Sequence, residues 1–221
     1  MFIQFLIEDY SGEVLIRAVI TKYNEISNNI IEYDIKSYKG IGGFKKGETA
    51  QNIKSEHLLT DLPKRLRAYN SILTNRENAS IFIIVDNDTR NPEDFKQKLN
   101  ELSNTHNISI DHVYCIAIEE LEAWLLGDID AIKTAYPKCK LGARYNEYKQ
   151  DSICGTWEIL ADMLTKSRIG QKSKKENLDY SEIGRLKSEW AKKIGAELNI
   201  KENRSPSFQY FIRELDKRNV I

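Results

Sequence analysis

The sequence predicts an α/β fold with a mainly parallel β-sheet of about four strands flanked by helices and followed by a helical C-terminal part. Three observations lead there. Apolar, β-branched runs alternate with segments of helical period from the start of the chain to about residue 136. The run "SIFIIV", Ser80 to Val85, is apolar throughout, as a strand buried on both faces of a parallel sheet must be. After about Pro137 the strands stop and three helical patterns follow. We therefore expect an α/β domain over residues 1–136 and a helical region over residues 137–221, packed on or beside it.

"FIQFLIE", from Phe2, reads as the first strand. "SGEVLIRAVITKYNEI" reads as a helix with Val14, Leu15, Ala18 and Val19 toward one face and Ser11 as its cap. "NIIEYDIKSY" alternates, with Ile31, Tyr33 and Ile35 on one side, which suits a half-buried strand near a sheet edge. A loop rich in Gly and Lys follows, "KGIGGFKKGE", then a broken helix through "IKSEHLL" and "LPKRLRAYNSIL". Asn91 before Pro92 marks the start of the helix "PEDFKQKLNEL". "ISIDHVYCIAI" supplies another strand or strand pair, and "EELEAWLLGDIDAIKTAY" one patterned helix with Trp124 on its core side. Beyond "KCKLGARYNEYKQDS", helices are expected near "TWEILADMLTK", "DYSEIGRLKSEWAKKIGAEL" and "SPSFQYFIRELDKR", the last capped by Ser205 with Pro206 in its first turn.

Bulk composition narrows the function classes. The chain has 221 residues, enough to bury a core without staples. Lys+Arg and Asp+Glu are both 33, so no global charge draws it to nucleic acid or an anionic membrane, and any such affinity is local. The 3 cysteines, Cys115, Cys139 and Cys154, are widely spaced and fit reduced thiols better than a disulfide frame or a zinc site. The short apolar start is interrupted by Glu8 and Asp9, and no apolar run is long enough to span a bilayer. A cytoplasmic protein without membrane partners is the expectation.

Three predicted strands end in acid: Glu8 and Asp9 after the first, Asp86 and Asp88 in "IIVDND", and Glu119 and Glu120 in "IAIEE" with Glu122 close behind. Parallel strands finish at one edge of their sheet, and the crevice beyond that edge is where such sheets bind ligands. If strand geometry persists, Asp86 and Asp88 share a face. Two carboxylates ~4 Å apart repel by roughly 4 kcal/mol at an effective dielectric of about 20. Protons or a hard divalent cation can cancel that repulsion. Each cluster also precedes a helix, so capping is the plainer account of any one of them. Convergence of all three favours a metal site suited to phosphodiester chemistry.

These residues resemble the Toprim domain of topoisomerases, primases and OLD-type nucleases. "FLIEDYSGEVLIRAVI", "YKGIGGFKK", "IIVDND", "IAIEELEAWLLGD" and "SPSFQYFIREL" more specifically resemble the DUF4276-type, Toprim-like family of bacterial proteins. "EELEAWLLGD" is the most specific piece. The resemblance implies Mg²⁺ or Mn²⁺, Asp86 and Asp88 as metal ligands, and Glu8 as a general acid/base or metal-associated carboxylate. It also implies an AAA- or ABC-type ATPase encoded nearby and a role in defence against phage. The chain departs from the usual Toprim motif: Asp9 stands where Gly follows the Glu, and the first Gly is Gly12.

The expectation is thus a Mg²⁺-dependent phosphodiesterase, a nuclease acting on DNA or RNA with an ATPase partner. In it Glu8, Asp86 and Asp88 are catalytic, and Glu120 and Glu122 shape the site or hold a second ion. Lys39, Lys45 and Lys46 of the Gly-rich loop hold the phosphate backbone, and an oligomer is compatible with this. Glu13, one turn beyond Glu8, is a candidate for a second metal position, and Asp128 for a helix end or the acidic site. The basic run from Lys166 to Lys175 is a solvated linker or a nucleic-acid contact. The alternative is a non-catalytic module, binding nucleic acid or regulating an ATPase complex.

Overall fold

The computed structural model describes residues 1–40, 42, 57–165 and 180–219. Four parallel strands form one sheet: β1 (Phe2–Ile7), β2 (Glu32–Ser37), β3 (Ala79–Asp86) and β4 (His112–Ala117), in the order β2-β1-β3-β4. Helix α1 (Tyr10–Ile26) joins β1 to β2, α2 (Leu58–Leu73) precedes β3, and α3 (Pro92–Thr105) joins β3 to β4. The α/β class and the four-stranded parallel sheet agree with the sequence reading. "ISIDHVYCIAI" contributes a single strand, and β2 lies at an edge with alternating exposure.

Side-chain alternation sorts the strands onto two cores. Ile3, Phe5 and Ile7 of β1, Phe82 and Ile84 of β3, and Val113, Cys115 and Ala117 of β4 share one core with α1 and the C-terminal helices. Leu6, Ile81, Ile83, Val85, Tyr114 and Ile116 share the other with α2 and α3. Helix α1 therefore leaves β1 on one face and α3 leaves β3 on the opposite face. The connections diverge between these neighbouring strands, which opens a crevice at their carboxyl ends.

The segment after β4 is not the single helix its pattern suggested. It divides into α4 (Glu122–Leu126) and α5 (Ile129–Ala135). Asp128 makes the break by capping α5 through Ala131 N and accepting a second bond from Asn199 N at 2.7 Å. Further on lie α6 (Ala143–Glu147), α7 (Thr156–Leu164), α8 (Tyr180–Gly195) and α9 (Pro206–Arg218). Ser205 caps α9 and Asn91 caps α3, each before a proline, as expected. The cap of α1 is Asp9 rather than Ser11: its Oδ1 accepts Gly12 N at 2.7 Å, and Ser11 donates its own hydroxyl to the same carboxylate. A carboxylate one residue before the helix outcompetes a hydroxyl already inside the first turn.

The two most distinctive motifs bind each other. Trp124 stacks on Phe211 with ring centroids 5.3 Å apart and meets Phe208 edge-on at 5.4 Å. Its indole N–H donates to Ser207 Oγ at 2.9 Å, while Asp151 receives Ser205 Oγ at 2.7 Å and Ser207 N at 2.6 Å. "EAWLLGD" and "SPSF" are thus a clamp that fastens α9 to the sheet. Trp124 is fully buried, as its position in the pattern predicted.

Gly127 sits where this clamp is tightest. A Cβ there would lie 2.1 Å from Asn203 Oδ1 and 2.9 Å from the Ser205 backbone N. Gly127→Ala should destabilise the protein by about 2 kcal/mol through overpacking. Gly184→Ala, in α8 with open space around its Cβ position, should stabilise it by roughly 0.5–1 kcal/mol. Urea denaturation of the two variants checks the pair; equal effects would contradict the packing described.

Candidate functional site: an acidic edge with a buried lysine

Glu8 follows the last residue of β1, and Asp86 is the last residue of β3. The register sets Ile7 beside Ile84, so the chain of β1 runs out alongside the end of β3. The Glu8 carboxylate crosses this gap: its Oε2 accepts the backbone N–H of Asp86 at 3.0 Å. Two acids 78 positions apart thus meet in the crevice between diverging connections. Gly12 permits this closeness from the other side. A Cβ there would stand 2.7 Å from both Ile7 Cγ2 and Leu121 Cδ1, so the first turn of α1 can lie against the end of β1.

The Asp-x-Asp pair does not share a face. Asp88 adopts φ 49°, a left-handed conformation, so strand geometry ends at Asp86. Asn87 between them is fully buried. Its side chain accepts Glu119 N and donates to Arg90 O, and its own N–H donates to Ala117 O at 3.1 Å. It ties the ends of β3 and β4 together. Asp88 is 47% exposed and pairs with Arg90, yet its charge is felt at Glu8.

The third cluster divides. Glu119, with φ 63°, turns away and accepts Gly155 N at 2.8 Å and Thr156 N at 2.6 Å, so it serves the N-terminus of α7. Glu120 and Glu122 turn inward and meet Lys187 of α8, whose Nζ lies 3.3 Å from Glu120 Oε1 and 3.1 Å from Glu122 Oε2. Lys187 exposes only 14% of its side chain. It was not singled out in the sequence, though a signal was there. Lys187 lies on the same helical stripe as the buried Trp190, Ala191 and Ile194, where a lysine is out of place unless paired.

Burial dominates the electrostatics of the edge. It pushes the Glu8 carboxyl up to about 7; the Asp86 N–H opposes this, while the charges of Asp88 and Asp9 reinforce it. Asp86 is raised well above the ordinary carboxylate range by burial and then by Glu8, with Lys187 opposing. Glu120 rises to about 8 through burial, again opposed by Lys187. Burial would lower the Lys187 ammonium, but Glu122, Glu120, Asp86 and Asp9 together outweigh it and hold it above the ordinary lysine value.

The other sequence candidates fall elsewhere. Glu13 is engaged by Arg17 at 2.8 Å and by the Ser37 hydroxyl, which hold its carboxyl below the usual value against its burial. Lys39 is exposed and lies beside the site's backbone, since the next residue's N–H, that of Gly40, donates to Glu8 O at 3.0 Å. Lys45 and Lys46 lie outside the described residues, as does the basic run from Lys166 to Lys175. Cys115 is buried and the three thiols are free.

The donor set suits a hard divalent cation. Glu8 and Asp86 offer carboxylate oxygen at the ends of β1 and β3, and Asp86 Oδ1 and Glu120 Oε2 are buried with no hydrogen-bond partner. Among the described residues, no three His, Cys, Asp or Glu side chains already stand in a metal-binding cluster. Mg²⁺ does not require one, since it keeps several waters and is bound through one or two carboxylates. Glu8 and Asp86 are the pair suited to hold it, with Asp88 at the solvent side.

Fold and site together define an α/β protein with a carboxylate-lined crevice at the topological switch point of a parallel sheet. A family model described as a domain of unknown function, DUF4276, matches residues 7–216, and the chain belongs to that family. Neither a curated protein nor a solved structure matches it. Among the described residues, no helix is long and apolar enough to cross a membrane.

The raised carboxyls set a sign for the pH dependence of stability. An unfolded Glu releases its proton near 4.5, whereas folded Glu8 and Glu120 hold theirs to about 7 and about 8. The folded state binds more protons within that window, so stability falls as pH rises through it. Urea midpoints measured in EDTA should decline from about pH 5 to about pH 8, and Glu8→Gln should flatten the decline. Midpoints that climb across this range would contradict the burial of these acids.

Proposed function

We propose that the protein is a divalent-metal-dependent phosphodiesterase of Toprim-like type, a nuclease acting on DNA or RNA. The observation that carries this reading is the Glu8 carboxylate bonded across the switch point to the end of β3, beside the buried, unpartnered Asp86 oxygen. Glu8 and Asp86 hold Mg²⁺ or Mn²⁺, with Asp88 on the solvent side. A bound divalent cation would supply positive charge against a phosphate that the acidic edge would otherwise repel. Where Glu8 does not ligate the cation itself, its alternative role is to take the proton of the attacking water, and its place against the Asp86 N–H at the crevice supports either role. Lys39, Lys45 and Lys46 hold the substrate's phosphate backbone by charge. The resemblance to Toprim proteins supports an ATPase partner of the AAA or ABC type and a role in phage defence.

A second reading has its own observation. Lys187 already balances Glu120 and Glu122, so the acidic edge has a built-in cation. That favours a non-catalytic module that binds nucleic acid or regulates an ATPase.

Cleavage of plasmid, single-stranded DNA and tRNA, with Mg²⁺, Mn²⁺ or EDTA and with or without the ATPase encoded nearby, separates the two. The nuclease reading predicts metal-dependent cutting that Glu8→Gln and Asp86→Asn each lower by ~100-fold or more. Full activity in both variants would remove Glu8 and Asp86 from the chemistry, and no cutting of any substrate under any of these conditions would favour the module.

A further inference from the structure

We propose that Lys187 is the resident counter-ion of the acidic edge, and that it sets how tightly a divalent cation is held there. The proposal rests on the metal-site reading above. It adds a positioning residue from the C-terminal helical region, far in sequence from every acid it serves.

Lys187 cannot easily leave. It sits on the core-facing stripe of α8, one turn before Trp190 and Ala191 and two before Ile194, all buried. At the end of that helix, Gly195 packs so closely on α1 that a Cβ there would lie 3.1 Å from Ala18 Cβ and 3.2 Å from Leu15 Cδ1. Helix α8 is therefore pinned to α1, the helix that begins at the acidic edge. From this fixed stem the ammonium reaches Glu120 and Glu122. Its charge also acts on Asp86, Asp9 and Glu8.

Two consequences follow from Coulomb's law in a crevice with little water. The ammonium makes the clustered carboxylates tolerable when no metal is bound, because it offsets their mutual repulsion. It also opposes the arrival of a second cation, since it lowers the negative potential at Glu8 and Asp86 and repels a divalent ion directly. Lys187 and the metal are alternative balances for one excess of negative charge. The lysine keeps the metal-free site folded at the expense of metal affinity.

The test is Mn²⁺ binding, followed by electron paramagnetic resonance, on the full chain. Lys187→Met and Lys187→Gln should bind Mn²⁺ about tenfold more tightly than the natural protein. Lys187→Arg keeps the charge and should stay within about threefold of it. In EDTA the Met and Gln variants should melt at lower temperature, and Mn²⁺ should raise their Tm by more than it raises that of the natural protein. A purely structural lysine would lower Tm without tightening Mn²⁺. Unchanged or weaker Mn²⁺ binding in the Met and Gln variants, with binding intact in the natural protein, overturns the proposal and leaves the metal site standing. No Mn²⁺ binding by any form overturns both. Should the Met and Gln variants fail to fold in EDTA, refolding in Mn²⁺ supports the proposal and failure to refold overturns it.

Discussion

Parallel pairing is the constraint on which the rest depends. Strands β1 and β3 are neighbours that run the same way, so their acidic ends arrive at the same place. The connections from these ends depart to opposite faces of the sheet, which leaves the acids in a crevice rather than under a helix. The bond from the Asp86 N–H to Glu8 then ties the two ends together. Burial does the chemical work: it removes water from Glu8, Asp86 and Glu120 and makes their charged forms costly.

The helical C-terminal region belongs to this account as a structural necessity. Helix α9 covers the sheet through Phe208 and Phe211, and the clamp around Trp124 fixes it there. Helix α8 lies on α1 and delivers Lys187 to Glu120 and Glu122. The tripeptide "SPS", read in the sequence as the start of the last helix, does start α9 and does more. Its serines serve the cap of α9, Asp151 and the indole N–H. Residues that make a family recognisable can do so because they hold helices in place, with no contact to the chemistry.

Much of this was legible in the chain. The apolar run ending at Asp86 announced a strand buried on both faces, and three acid-tipped strands of one direction implied a shared edge. Two of the three converge directly, Glu8 with Asp86. The third divides, because Glu119 takes a left-handed turn and is consumed by the N-terminus of α7. Backbone conformation of that kind leaves no periodic trace, and Asp88 escaped the predicted shared face for the same reason. Asp128, named from the sequence as a candidate helix end, does mark the α4–α5 break; the apolar spacing continues across it, so the pattern alone reads as one helix. Lys187 was missed because a lysine in a charge-rich helix looks solvated, and only its alignment with Trp190, Ala191 and Ile194 sets it apart.

The central claim is that Glu8 and Asp86 form one cation site at the switch point. The most direct measurement is anomalous X-ray scattering from a crystal soaked in Mn²⁺. The account predicts a peak between the carboxylates of Glu8 and Asp86 that disappears in Asp86→Asn. Ordered carboxylates with no peak between them, or a peak bound only by acids elsewhere on the surface, would contradict it.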